Sequence, residues 1–198
     1  MSRRFLGILF FLFLSLPAFS GRLGVVVDSV LVIPGGTEVI GRDAFSWRSD
    51  FHSVRFEAPV RVRDIQAHAF AYCGELRRIE VPRGVTHVGS NAFSFCTKLR
   101  EAVLPSSVAE LESYAFAECD SLRRVVLPAN KKLLGELIFE GCRNLEEIVE
   151  MSPEPPSFDC NSTLFDPCEE YMYRRCRLIV PAGREAAYRS APGWSEFF

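Results

Sequence analysis

Seven cysteines and three histidines are the side chains with the widest chemical range in this chain of 198 residues. Cys73, Cys96, Cys119 and Cys142 recur every 23 residues, while Cys160, Cys168 and Cys176 recur every eight. Zinc knuckles bring thiolates together in Cys-x-x-Cys pairs. No such pair occurs, so neither group is read as a metal site. His52, His68 and His87 form no common column of the repeat described below, and they read as surface or core imidazoles. Glu146 and Glu147, or Glu169 and Glu170, place carboxylates side by side. A glycosidase pair must face across a cleft at a set separation, which neighbours in one strand or helix do not. These are read as solvated charges. Asn161-Ser162-Thr163 fits a glycosylation sequon, relevant only in a host with that machinery. A Gly-rich phosphate loop, His-Glu-x-x-His and Gly-x-Ser-x-Gly are all missing. No catalytic, metal-binding or cofactor-binding residue is assigned, and the chain is read as a non-enzyme that needs no cofactor.

The cysteines belong to a larger pattern. Phe70, Phe93, Phe116 and Phe139 keep the 23-residue spacing, as do Leu76, Leu99, Leu122 and Leu145. Pro82, Pro105 and Pro128 each stand 11 residues before the next phenylalanine. A looser first copy runs through Pro34, Phe45, Phe51 and Pro59, with Arg48 in the cysteine place and two extra residues between Phe56 and Pro59. Self-similarity at this period signals a solenoid whose units bury their apolar faces only by stacking. Within one unit, Leu76 to Pro82 alternates toward a strand stopped by proline, which cannot donate to a ladder. Val85, Val88 and Gly89 then cross the back, and Ala92, Phe93, Cys96 and Leu99 suit a helical turn or two. The phenylalanines are expected to stack as an aromatic spine. The four repeat cysteines are expected to be free buried thiols, since their side chains run parallel and keep Cβ atoms too far apart for a disulfide.

Composition adds outer bounds. The chain is 48% hydrophobic and 24% charged, with a formal net charge of −2. Arg and Glu alternate, so nothing points to nucleic acid. Arg3 and Arg4 precede an uncharged run from Phe5 to Phe19, and Ala18-Phe19-Ser20 places small residues at a cleavage site before Gly21. Residues 1–20 therefore read as a secretory signal, leaving no membrane span after cleavage and a secreted or cell-surface product. The solenoid of about five repeats is assigned to 21–150. Ser152 to Pro156 reads as a turn, and 151–198 as a C-terminal cap. Truncation before residue 151 is expected to bare the last repeat, with Val180, Tyr188, Trp194 and Phe197 as the covering side chains. One disulfide is expected among Cys160, Cys168 and Cys176 as a staple of the cap.

Val81-Pro82, Val85, Val88-Gly89, Ala92-Phe93, Cys96 and Leu99 together resemble the BspA-like class of bacterial leucine-rich repeats, from about Leu31 to Glu150. The tail, Cys176 to Gly183 followed by Ala187-Tyr188 and Trp194 to Phe197, is similar to the C-terminal segment of such proteins. Departures occur at both ends; in the last repeat Ile138 replaces the repeat alanine, Lys131 an apolar residue, and Glu150 the Val81, Leu104 and Leu127 column. The resemblance implies short parallel strands on one face, with turns or short helices on the other. It implies a surface or secreted protein engaged in protein–protein interaction or adhesion, with a host extracellular protein or an envelope component as partner. Alternatives are a structural or envelope-assembly protein without a dedicated ligand and, weaker, a small hydrolase domain. The last would need a polar cluster confined to one repeat, and the variation is spread evenly.

By analogy with that fold, strand positions one, four and six face the core, so three and five point outward. Position three reads Ser53, Arg78, Glu101, Arg124, Glu147, which predicts a self-satisfying charge ladder. Position five reads Arg55, Glu80, Val103, Val126, Val149, leaving three neighbouring valines exposed beside the charges. Arg78, Glu80, Glu101, Val103, Arg124, Val126, Glu147 and Val149 are the candidate partner-binding residues, on an apolar strip flanked by charge.

Overall fold

The computed structural model describes residues 24–130, 133–156, 164–165 and 171–198. The expected leader, 1–20, lies outside them. A hairpin of β1 (Val25–Val27) and β2 (Val30–Ile33) opens the fold. From β2 onward the chain coils, and each coil places one strand in a parallel sheet: β4 (Ser53–Phe56), β6 (Arg78–Glu80), β8 (Glu101–Val103), β10 (Arg124–Leu127), β12 (Glu147–Glu150), then β13 (Arg177–Ile179). The strands are short because the proline that follows each cannot donate to a ladder. Val85, Val88 and their equivalents do more than cross the back. They sit in or beside a second parallel sheet of two-residue strands: β3 (Val39–Ile40), β5 (Asp64–Ile65), β7 (His87–Val88), β9 (Glu110–Leu111) and β11 (Leu133–Leu134). Gly89 is needed beside β7, because a Cβ there would lie 2.6 Å from the Ala67 backbone nitrogen of the coil before it.

The segment after β7, expected as a helical turn, is a run of tight turns. Two residues before each spine phenylalanine, Asp43, His68, Asn91, Tyr114 and Leu137 have φ between 50° and 60°. Two residues after it, Trp47, Tyr72, Phe95, Glu118 and Gly141 have φ between 56° and 70°. A left-handed residue every fourth position stops a right-handed helix from propagating. The amides go instead to the following coil: Phe70 N donates to Ala92 O at 2.8 Å, Phe93 N to Ala115 O at 2.8 Å and Phe95 N to Ala117 O at 2.8 Å. Apolar spacing alone did not distinguish bonds along the chain from bonds between coils.

Both sheets enclose the core. Phe45, Phe70, Phe93 and Phe116 stack with centroids 5.2 Å apart, Phe139 follows at 6.1 Å, and all five are buried. Cys73, Cys96, Cys119 and Cys142 are buried thiols outside any disulfide. Each thiol donates to the carbonyl of the spine phenylalanine one coil back: Cys73 to Phe45 at 3.2 Å, Cys96 to Phe70 at 3.2 Å, Cys119 to Phe93 at 3.1 Å, Cys142 to Phe116 at 3.0 Å. A weak donor small enough for the interior thus satisfies a carbonyl that the turns leave facing inward. Arg48 takes this place in the first coil, where its guanidinium lies over the rings of Phe45 and Phe51.

The last coil is covered by tail residues. β13 pairs parallel to β12, and Leu164, Phe165, Met172, Tyr188 and Trp194 are buried, with Val180 and Phe197 packed against them. Tyr188 Oη donates to Ser152 O at 2.9 Å, and Trp194 Nε1 to Pro156 O at 2.8 Å. Burial, reinforced by the Glu150 and Glu154 carboxylates, pushes the Tyr188 hydroxyl upward from its ordinary pKa. Glu150, in an otherwise apolar column, is buried and accepts the Ser152 amide at 2.8 Å. The expected disulfide needs correcting where it involves Cys176, which is a free buried thiol; Cys160 and Cys168 lie outside the described residues. The Asn161–Thr163 sequon and the Glu169–Glu170 pair lie outside them too.

Candidate partner-binding face

Alternation along each strand turns position three away from the core, and the parallel register then lines up its residues. Ser53 pairs with Arg78, Arg78 with Glu101, Glu101 with Arg124, Arg124 with Glu147, and Glu147 with Arg177. Opposite charges meet at each step after the first. Arg78 Nε lies 3.3 Å from Glu101, Arg124 lies 2.9 Å from Glu101 and 2.8 Å from Glu147, and Arg177 lies 2.6 Å from Glu147. Hydrogen bonds from Arg177 and then Arg124 hold the Glu147 carboxyl below the usual range. The hydrogen bonds that Arg124 donates to Glu147 and Glu101 raise its own pKa further, against the opposing effect of desolvation. Arg78 also grips Glu80 in its own strand. The ladder is thus real and one step longer than the sequence reading, because Arg177 is delivered by β13 from a segment outside the repeat.

Position five behaves differently. Arg55 and Glu80 are exposed. Val103, Val126 and Val149 were expected to be exposed but are half-buried. Neighbouring strands lie roughly 4.8 Å apart, so each isopropyl group shields the next. Among the described residues the tail meets this row at β13. It prolongs it, since Ile179 pairs with Val149 and is 36% exposed. The outward face therefore carries a charge row closed on itself beside an apolar strip of four residues.

Two features escaped the sequence reading. Trp47, Tyr72 and Phe95 form a second aromatic stack on the outside, with centroids 3.8 and 4.5 Å apart and Trp47 73% exposed. They were visible as an aromatic column two residues after the spine phenylalanines, but only the left-handed turn reveals that this column faces outward. The other feature is His87, whose Nδ1 lies 2.6 Å from Asp64 and Nε2 2.9 Å from Glu112. Glu112 also accepts the Ser90 amide and hydroxyl at 2.8 and 2.7 Å. Burial lowers the His87 pKa, but the two carboxylates outweigh it and the net shift is upward. The carboxylates sit on opposite ring nitrogens, so the imidazole clamps three coils and the three groups do not converge on a common point. Glu146 pairs with Arg123 at 3.0 Å on the surface. Among the described residues, no group of three or more His, Cys, Asp or Glu side chains could hold a metal ion. Nor is any described helix long and apolar enough to cross a membrane.

The model of the BspA type leucine rich repeat region matches residues 29–148 in six copies. The chain belongs to that family. Six parallel strands, β2, β4, β6, β8, β10 and β12, cover this stretch, where the sequence reads as about five repeats. Among solved structures, the leucine rich repeat protein of T. pallidum is 37% identical with a TM-score of 0.60, over 66% of this chain and 59% of that one. A leucine-rich repeat protein from Bacteroides ovatus is 28% identical with a TM-score of 0.55, over 63% of this chain and 33% of that one. The chain thus spans three-fifths of the first relative and one-third of the second. A comparison with curated proteins finds no match. Solenoids of this family present an extended face built from equivalent residues, the architecture of a protein-binding scaffold.

Proposed function

We propose that the chain is an exported adhesion or interaction module that binds a protein partner, a host extracellular protein or an envelope component, through the outward face of its parallel strands. The observation that carries this reading is the strip of Val103, Val126, Val149 and Ile179 lying beside a charge ladder that pairs within itself. A ladder already paired adds little affinity of its own, while an apolar strip rimmed by charge suits burial against another protein. Export is supported by Arg3, Arg4 and the apolar run Phe5–Phe19, with 21–150 as the scaffold, 151–198 as its cap, and Cys160–Cys168 as the disulfide candidate. The test has two arms. Mass spectrometry of secreted chain is expected to find Gly21 at the N-terminus; an intact Met1–Ser20 would remove the leader. Immobilised protein is then exposed to purified extracellular-matrix and envelope proteins. Changing Val103, Val126 and Val149 together to Thr is expected to abolish capture with the melting transition retained. Undiminished capture by the folded triple variant would remove this face.

A further inference from the structure

Strand β4 ends unlike every later strand. It shares four register pairs with β2, from Val30–Ser53 to Ile33–Phe56, but only Ser53–Arg78 with β6. β6 and β8 share three. The two extra residues of the first repeat explain the difference. Ala58 O sits 2.3 Å from where a Cβ on Gly35 would stand, and Pro59 O accepts the Gly36 amide at 2.8 Å. The insertion folds back onto the preceding coil, drawing the end of β4 toward β2 and away from β6. Beyond Ser53 the facing edges of β4 and β6 form no ladder with each other. Side chains register the same opening. Ile79, Ala102 and Val125 are buried at the inward position, whereas Val54 and the following inward residue, Phe56, are only partly so. A groove of about 940 Å³ opens here, walled by Val54, Phe56 and Val60 on one side and by Val81, Pro82 and Val103 on the other. Arg55 and Arg83 also line it, both exposed and neither in an ion pair among the described residues. Glu80, the acid of the groove, is already held by Arg78.

We propose that this groove receives an extended, acidic segment of the partner protein, docked along the facing edges of β4 and β6 beyond Ser53. Beyond Ser53 the two strands share no register pair, and an extended peptide laid in the groove can hydrogen-bond to their facing edges in strand geometry. Its apolar side chains fill the Val54, Phe56, Val60 and Val81 walls, and its carboxylates meet Arg55 and Arg83. The assignment rests on the partner-binding reading above and narrows it to one class of ligand.

The full chain is panned against a displayed random dodecapeptide library, and enriched peptides are synthesised for calorimetry. Enriched peptides are expected to alternate apolar residues with Asp or Glu, and binding should slow amide exchange at Phe56 and Glu80. Arg55→Glu with Arg83→Glu should weaken them by about tenfold or more, the scale of one lost charge-assisted contact. Deleting Glu57 and Ala58 should restore the ladder and abolish binding; if that variant fails to fold, the double charge reversal and the exchange data still decide. No enriched family, acidic peptides indifferent to the charge reversal, or a groove occupied by a second copy on sedimentation would each overturn the proposal. The Val126→Thr/Val149→Thr variant is expected to keep the peptide. If it loses protein capture while the wild-type chain selects no peptide, the strand face stands and the groove alone fails.

Discussion

Between β8 and β12 every strand lies in register with the next, its inward residues are buried, and its position-three charges are paired. Between β4 and β6, in the same sheet, one register pair survives, the inward Val54 and Phe56 are partly open, and Arg55 is in no ion pair among the described residues. The two regions share one repeat pattern and differ by two residues. In a solenoid each coil contacts only its neighbours, so a length change is not averaged over the fold but appears as an opening at one joint. Regularity yields a closed, internally satisfied surface, and a local departure yields a recess with unused groups.

The contrast is testable, most sharply through thiol access. Burial pushes Cys73 up to about 12, and Cys96 is likewise raised by burial. For Cys73, from an ordinary value near 9, this removes thiolate on the order of a thousandfold at pH 8. Iodoacetamide is therefore expected to label neither thiol in native protein and both after unfolding, as read by peptide mass spectrometry. Labelling of Cys73 well before Cys96 would show that the β4–β6 opening reaches the spine, and would redraw the boundary between the two regions.

Equivalent truncations compare the regions directly. Val125→Ala removes a fully buried side chain from the regular stack and should cost about 2 kcal/mol. Val54→Ala, at the same inward position in the open joint, should cost under about 1 kcal/mol. Equal costs in denaturant melts would mean that the joint is packed like the rest.

The small sheet offers a pH test. His87 faces Asp64 and Glu112, and its register partner on β9 is Glu110. Its folded pKa is raised, so its contribution to stability is complete below the unfolded value of about 6.5 and is lost as pH rises through the folded value. The wild-type chain should lose up to about 1 kcal/mol across that window, and His87→Gln should flatten the profile. A variant whose melting temperature follows pH as the wild type does would contradict the clamp. Smallest of all, Arg124→Ala should cost about 0.2–1 kcal/mol, because its ion pairs are solvent-screened although they join three strands. A larger loss would mark the ladder as cooperative along the sheet.

Much of this was legible before any coordinates. The 23-residue columns identified the family, the buried phenylalanine spine, the buried repeat thiols and the outward residues from Arg78 to Val149, because an in-register parallel stack turns sequence period directly into spatial neighbourhood. Even Arg124 between Glu101 and Glu147 follows from that rule. It did not extend to Arg177, which reaches the ladder from a non-repeating tail, nor to Cys176, whose freedom depends on how that tail packs.

What the sequence determined by itself is therefore the translation along the stack: which residue of one coil lies over which residue of the next. What only the tertiary structure decided is the path within a coil. The paired left-handed turns that set Trp47, Tyr72 and Phe95 in an outer stack, the thiol-to-carbonyl bonds of Cys73 to Cys142, and the direction in which Glu57 and Ala58 fold all depend on backbone dihedrals. Those dihedrals are fixed by hydrogen bonds to the adjacent coil. Apolar spacing reports which side chains are buried together, and it carries no record of where the amides between them point.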